Sequence, residues 1–522
     1  MPEDGVDSDS VRKGLSQADI SLLEQRSLSL EALERQWHLL RVAPSFLHLE
    51  KAGALGEGIS RFSEKELANF VSYFEERAQH LQILKFVPAS GAASRMFEAW
   101  QGALQEGGFK SNAENERFLQ NLPRYAFYPL LGELLGKQRL EEMQRQGGIV
   151  DLLEAILNKR GGLGYGGIAK ALVAFHRYGG AIATPLEEQL REAALYCTDG
   201  NGYCRVHFTV AREYKENIEA FLREARSDLE RIYKVQFLVD LSCQSPATDT
   251  IAITENGTLA RDNDGRLLLR AGGHGALLEN LQNLRADIIF IKNIDNIAHA
   301  SYLEDTIRYK KAVGGYLLHL LKKSGDLQSA LSGNNQNCRE ELIREATTFC
   351  EESLNYRFSS SFFSADRTTK AALIQDVLAR PLRVCGVVPN SGEPGGTPCW
   401  VRDKNGAISL QMVEGLQINR QDPRQEAIWQ AAEYFNPVDI VCCINDPRGG
   451  VFDLSRFADS EAFFITQKRE KSRNLRVLEY PGLWNGAMAF WNSAFVEVPL
   501  TTFNPVKTVE DLLRAAHCEK QG

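Results

Sequence analysis

The chain passes from a short apolar run, Leu81-Gln82-Ile83-Leu84-Lys85-Phe86-Val87, into a turn of small residues from Pro88 to Ser94. An amphipathic stretch, 95–104, follows directly. A short apolar run bounded by turn residues suits a buried strand, and a strand that turns at once into a helix begins a β–α unit. The pattern recurs: 203–210 and 234–241 read as strands with a helix at 217–233 between them, and 286–291 as an isoleucine-rich buried strand. Further strands are expected at 382–388, 408–413, 439–443 and 495–498. Alternating strands and helices predict an α/β fold, with a mostly parallel mixed sheet flanked by helices. Ligands of such sheets bind beyond the carboxyl ends of the strands. Ahead of this body, leucines at mixed three and four spacings and the helix-start signal Ser63-Glu64-Lys65-Glu66 predict an N-terminal helical segment over about 17–80.

Charge and cysteine use narrow the function. A net charge of -8 disfavours nucleic acid or an anionic membrane as partner, because both call for a basic face. Met1 to Ser10 is polar and acidic, unlike a signal peptide. No run reaches the ~18 apolar residues of a membrane span. The ten cysteines contain no C-x-x-C pair and the nine histidines no H-E-x-x-H, which disfavours structural zinc and a disulfide framework. A cytoplasmic location is expected.

Five blocks carry candidate chemistry. In Pro88-Ala89-Ser90-Gly91-Ala92-Ala93-Ser94-Arg95, small residues let backbone amides approach a phosphate, and Arg95 can bond its oxygens. A tight strand-to-helix turn with a surface arginine would read the same way. Lys170 follows a glycine-rich stretch in Gly166-Gly167-Ile168-Ala169-Lys170; a lone lysine is most often solvated. Gly272-Gly273-His274-Gly275 suits close approach to a flat ligand such as a base, or a simple turn. Gln244, at the end of a predicted strand, could read a base edge. Asp295, in Asn293-Ile294-Asp295-Asn296 just past a buried strand, is a hard oxygen ligand suited to Mg²⁺, or part of a polar turn. Lys507 precedes the helical start Thr508-Val509-Glu510-Asp511, where a cation opposes the dipole unless an anion lies beside it.

In this order the blocks resemble the nucleotide-diphospho-sugar transferase superfamily, and within it the UDP-sugar pyrophosphorylases. Ala89 to Met96 is similar to the A-G-G-x-G-T-R-L loop, with Ser90 and Ala93 replacing glycines and Ser94 replacing threonine. Ala169-Lys170 resembles a Pro-Lys pair, and Gly273-His274-Gly275 a G-H-G nucleoside turn. Asn293 to Asn296 resembles an N-x-D-N metal site, and Pro505-Val506-Lys507-Thr508 with Asp511-Leu512-Leu513 a P-V-K-T-x-x-D-L-L block. The whole chain resembles still more an uncharacterised bacterial family of about this length, through Gly392-Glu393-Pro394-Gly395-Gly396 and Gly482-Leu483-Trp484-Asn485-Gly486-Ala487-Met488.

The resemblance implies a GT-A-like nucleotidyltransferase fold and a reaction between a nucleoside triphosphate, UTP in the first instance, and a sugar-1-phosphate. It implies catalytic roles for Arg95, Lys170 and Lys507, nucleotide binding by Ser90, Gly91, Ala92, Gln244, Gly273 and His274, and Mg²⁺ on Asp295. Glu414, Asn436 and Asn485 are weaker candidates for sugar hydroxyls, and each could equally be a turn or surface residue. Asp439, Asp446 and Glu497 are possible second metal ligands. The expected organisation is a helical cap at 1–80, a nucleotide-binding core at 81–380, and a sugar- and phosphate-binding part at 381–522. A glycosyltransferase of related fold and a non-catalytic nucleotide-sugar-binding protein are the alternatives.

Overall fold

The computed structural model describes residues 11–12, 14–42, 46–332, 340–390, 392, 395–470 and 473–519. Met1 to Ser10, Glu393 and Pro394 lie outside the described residues. The chain forms two compact units, each assembled from separated stretches.

One unit comprises 65–243, 288–315 and 498–522. Its strands are Ile83–Pro88, Tyr203–Val210, Gln236–Cys243 and Ile288–Ile291. They pair in parallel in the order Ile288, Ile83, Tyr203, Gln236, naming each by its first residue. Ile83–Pro88 lies inside and is buried almost throughout, as its unbroken apolar run anticipates. Helix Lys215–Tyr233 links the two strands on its far side. An aromatic cluster fills the space beside the helices Glu98–Glu106 and Ile149–Leu157. In it the Trp100 ring meets Phe118 edge-on at 5.0 Å and Tyr125 at 5.4 Å.

Lys85 interrupts that apolar strand and is 0% exposed. Its ammonium donates to Glu192 Oε1 at 3.0 Å and to the Gln189 carbonyl at 3.0 Å. Lys292 donates to the other Glu192 oxygen at 2.6 Å, and Tyr196 OH to Oε1 at 2.8 Å. Burial pushes the Lys85 pKa down to about 8, with Glu192 opposing and Lys292 reinforcing the shift. Burial alone would raise the Glu192 carboxyl, but the lysines around it outweigh that and hold it below its ordinary value.

The other unit comprises 1–64, 244–287 and 316–497. Here Ala54–Leu55, Gly58–Ser60, Asn492–Glu497 and Leu382–Pro389 pair in parallel, and Tyr434–Cys443 pairs antiparallel with Leu382–Pro389. Two smaller sheets are antiparallel. One is His48–Ala52, Thr397–Arg402, Ile408–Val413 and Tyr356–Arg357 in order; the other is Leu269–Arg270, Thr250–Thr254, Arg473–Glu479 and Phe464–Glu470. The N-terminal helices Gln17–Gln25 and Leu30–Arg41 cover the second of these: Leu33, Trp37 and Leu40 pack with Ile251, Ile253 and Leu478. Gln36 accepts from the Ile251 amide and donates to the Asp249 carbonyl, fastening helix to strand.

Two expectations are corrected. The sheets are mixed rather than mostly parallel, because hairpins supply the smaller sheets and Tyr434–Cys443 runs against its neighbour. Within 17–80, the stretch 48–60 forms strands rather than helix. His48–Ala52 finds its partner in Thr397–Arg402, more than 340 residues away, and local leucine spacing carries no sign of it.

Glu192→Gln leaves buried ammonium groups without that carboxylate and is expected to cost about 3–5 kcal/mol of stability, measured by urea unfolding at neutral pH. The folded carboxyl titrates below its ordinary value of 4.5. Its stabilising contribution is therefore present above that value and is lost as pH falls through the folded one. The acid limb of the stability profile is expected to flatten in the variant.

Candidate functional site

Four of the five sequence blocks meet in the first unit. The loop after strand Ile83–Pro88 is stitched to the Lys170 block by the Ala93 amide donating to Ile168 O at 2.9 Å and the Lys170 amide to Gly91 O at 3.0 Å. This pairing leaves the amides of Ser90, Gly91 and Ala92 with no acceptor among the described residues. Consecutive unengaged amides beside a small-residue turn are donors an anion can use. Arg95 ends the short 3-10 turn Ala93–Arg95. It is exposed and has no ion-pair partner among the described residues.

Asp295 lies four residues past the end of strand Ile288–Ile291 and is 8% exposed. Its Oδ2 accepts from Lys170 Nζ at 2.7 Å and from Lys507 Nζ at 3.1 Å. Lys170 also donates to the Val506 carbonyl. Asp295 Oδ1 accepts nothing among the described residues. Burial raises the carboxyl, but the two ammonium groups outweigh it and hold the pKa below the ordinary value. For Lys170 the balance is opposite: burial lowers it, despite the support of Asp295.

The C-terminal block is clipped in place by backbone. Val506 N donates to Asp295 O at 3.1 Å and Val509 N to Met96 O at 3.1 Å; Asn504 N donates to Asn296 Oδ1 at 2.9 Å. Trp100 Nε1 donates to Glu510 Oε1 at 3.0 Å. Asp511 Oδ2 accepts from the amides of Lys507 and Thr508 at 2.7 and 2.8 Å. The Asp511 carboxylate thus caps the start of Val509–Leu513, and anions beside Lys507 come from Asp511 and Asp295. The Thr508-x-x-Asp511 spacing of a capping box is the signal in the sequence for this role of Asp511.

Beneath Asp295, Gln189 Nε2 donates to Asn293 O at 2.8 Å and Ile294 O at 3.3 Å. Helix Pro185–Ala194 therefore supports the Asp295 turn, and no motif marked it.

In the second unit, Gln244 Nε2 donates to Gly273 O at 3.0 Å, so the two nucleoside candidates come together there. His274 lies against Trp484, with ring centroids 4.6 Å apart. Gly275 is required by close approach: a Cβ there would lie 2.6 Å from Tyr480 Cβ.

The three sugar candidates differ. Asn485 is 2% exposed; its Oδ1 accepts from Gly486 N at 2.7 Å and its Nδ2 has no partner among the described residues. Glu414 caps the turn Gly415–Gln417, and burial, aided by the Glu479 carboxylate, raises its pKa. Asn436 has a different role from the one expected. Its Nδ2 donates to Gly386 O and Asp439 O, and its Oδ1 accepts from Val438 N. Both amide hydrogens serve the irregular pairing where the register shifts between Gly386 and Val388.

No group of three or more His, Cys, Asp or Glu able to hold a metal occurs among the described residues. Asp446 pairs with Arg448, and Glu497 with Arg61; Asp439 is buried. Asp295, with Oδ1 uncommitted, fits a divalent cation of the kind held by one carboxylate, with phosphate and water supplying the other oxygens. Among the described residues no helix is long and apolar enough to cross a membrane.

The DUF4301 family, described as a domain of unknown function, matches residues 16–518. The chain belongs to this family. No curated protein matches it. Among solved structures the DUF4301 chain is similar to uridine diphosphate N-acetylglucosamine pyrophosphorylase from Trypanosoma brucei, at 13% identity and TM-score 0.49, covering 98% of this chain and 82% of that one. It is also similar to UDP-glucose pyrophosphorylase from Leishmania major, at 14% identity and TM-score 0.42, covering 96% and 79%.

Because burial lowers Lys170, its proton leaves below the usual lysine range as pH rises. Binding of inorganic pyrophosphate to the DUF4301 protein, followed by calorimetry, is expected to weaken on the alkaline side through that lowered value. Lys170→Arg is expected to carry binding to higher pH, since a guanidinium keeps its proton.

Proposed function

We propose that this DUF4301 protein joins a nucleoside triphosphate, UTP in the first instance, to a sugar-1-phosphate and releases pyrophosphate and a nucleotide-sugar. One observation carries the reading. Lys170 and Lys507, far apart in sequence, converge on a single oxygen of Asp295, in the unit that also holds the Arg95 loop. Two ammonium groups, an unpaired guanidinium and three unengaged amides suit a ligand with several phosphates.

In the proposed reaction an oxygen of the sugar phosphate attacks the α-phosphorus of the nucleotide. The bond from the α-phosphorus to the bridging oxygen breaks, and pyrophosphate leaves with that oxygen. No enzyme nucleophile is required, so alignment and charge stabilisation carry the rate. The amides of Ser90, Gly91 and Ala92 and the Arg95 guanidinium hold the triphosphate, while Lys170 and Lys507 offset charge at the reacting phosphates. Asp295 keeps the two lysines together. When Mg²⁺ is bound, Asp295 would hold it, and it would neutralise phosphoryl charge. Gln244, Gly273 and His274 are proposed to take the nucleoside. Asn485, whose Nδ2 has no partner among the described residues, is the first of the sugar candidates; Glu414 is the second, and Asn436 drops out.

The test is pyrophosphate release from the purified protein with Mg²⁺, using four nucleoside triphosphates against a panel of sugar-1-phosphates. Release that needs both substrates is the expected result. No release, together with turnover of a nucleotide-sugar onto an acceptor, would replace the reading with a glycosyltransferase; nucleotide-sugar binding without turnover would replace it with a binding protein. Lys507→Ala is expected to lower kcat about 100-fold or more while nucleotide affinity changes less. Asp295→Asn is expected to abolish the Mg²⁺-dependent turnover in a protein that still unfolds cooperatively, with circular dichroism reporting the retained fold. Wild-type rates in either variant would remove that residue from the mechanism.

A further inference from the structure

We infer that Trp484 is the positioning residue of the nucleoside-binding histidine, and that the buried Arg383 fixes Trp484 for that purpose. The inference rests on the reading of Gly273 and His274 as nucleoside-binding.

The turn Gly273–Ala276 has little freedom of its own. A Cβ at Gly272 would lie 2.4 Å from Thr248 O, and one at Gly275 would lie 3.0 Å from Pro481 O. The turn is therefore wedged between the segment that begins at Gln244 and the segment around Tyr480 and Pro481. Gln244 holds the first side through Gly273 O. On the second side the Trp484 indole faces the His274 imidazole, with the planes at 48°. Trp484 is 5% exposed, whereas His274 is exposed. The indole offers almost no surface to a ligand. It acts on one through the imidazole it supports.

Arg383 sits behind this contact and is 0% exposed. Its NH1 donates to Trp484 O at 2.6 Å and to Met488 Sδ at 3.2 Å; its Nε and NH2 donate to Ser493 Oγ at 2.8 Å and Gln411 Oε1 at 3.1 Å. All four acceptors are neutral. A guanidinium buried with only neutral partners is an expensive occupant of a core, and an apolar side chain of similar volume is commonly no worse for stability. What this one supplies is geometry, since two of its bonds end in the same turn. That turn closes on itself: Asn485 N and Ala487 N both donate to Gly482 O, and a Cβ at Gly482 or Gly486 would collide with Asn485 or Pro481. The backbone of Trp484 is thus held in one place, and its indole is the surface against which the imidazole lies. An imidazole held in one rotamer meets a nucleoside already oriented, which lowers the ordering cost of binding.

The test measures UDP binding by calorimetry, with the thermal midpoint read in parallel, on the full chain carrying Trp484→Leu, Trp484→Phe, His274→Ala or the pair Trp484→Leu with His274→Ala. Trp484→Leu is expected to weaken UDP about tenfold and Trp484→Phe about twofold, since one ring can stand in for the other. The double variant is expected to bind no more weakly than His274→Ala alone, because Trp484 works through His274. Arg383→Met is expected to match Trp484→Leu in affinity while keeping or raising the thermal midpoint; if Trp484→Leu does not fold, Arg383→Met with and without His274→Ala gives the same comparison. Unchanged affinity in Trp484→Leu or Arg383→Met, or losses that add in full in the double variant, would overturn the inference. A wild-type protein that binds neither UDP nor UTP would instead overturn the nucleotide reading. The positioning claim then stands or falls on whether the His274 ring-proton resonances, displaced by the indole ring current, move in Arg383→Met.

Discussion

Glu192 is the interaction on which the candidate phosphate site depends. One buried carboxylate takes Lys85 from an inner strand on one oxygen and Lys292 from the end of the neighbouring strand on the other. Helix, strand and loop are tied at one point by charge-assisted bonds, which a dry interior strengthens provided every partner stays in place. Lys292 immediately precedes the Asn293–Asp295 stretch. One turn earlier on the helix that carries Glu192, Gln189 holds the Asn293 and Ile294 carbonyls. The position of Asp295, and of the two lysines gathered on it, is thereby inherited from a helix with no chemistry of its own.

The second unit uses buried charge differently. Arg383 has no carboxylate partner among its hydrogen bonds, only oxygens and a sulfur that carry no charge. Where Glu192 joins elements that would otherwise drift apart, Arg383 fixes the shape of a single turn. Both arrangements commit an ionised group to a place where water cannot reach it, and each stands behind a candidate ligand-binding loop.

Much of the strand framework was legible because buried parallel strands are short, apolar and punctuated by small residues. The strands at Ile83, Tyr203, Ile288, Leu382 and Ile408 all begin within two residues of their expected starts. The failures share a cause. Residues 48–60 were read as helix because their pairing partner, Thr397–Arg402, is invisible to a local window. By sequence Asn436 is a candidate for a sugar hydroxyl, or a turn or surface residue. In the fold it lies within Tyr434–Cys443 and spends its amide on a register shift. The Trp484 turn is a visible pattern in the sequence, but its contact with His274 depends on the fold bringing together two segments 210 residues apart.

The residues able to carry phosphate chemistry are legible from residue order alone: a small-residue loop ending in Arg95, two lysines, and an aspartate after a buried strand. These are matters of residue type and of position relative to a strand end, and both are local. It takes the folded chain to make Lys170 and Lys507 share one oxygen of Asp295, to set Glu192 and Gln189 beneath that loop, and to place Trp484 against His274. Ion pairs and ring contacts act over a few ångströms, and residues hundreds of positions apart come within that range only when parallel strands and their crossovers bring them there.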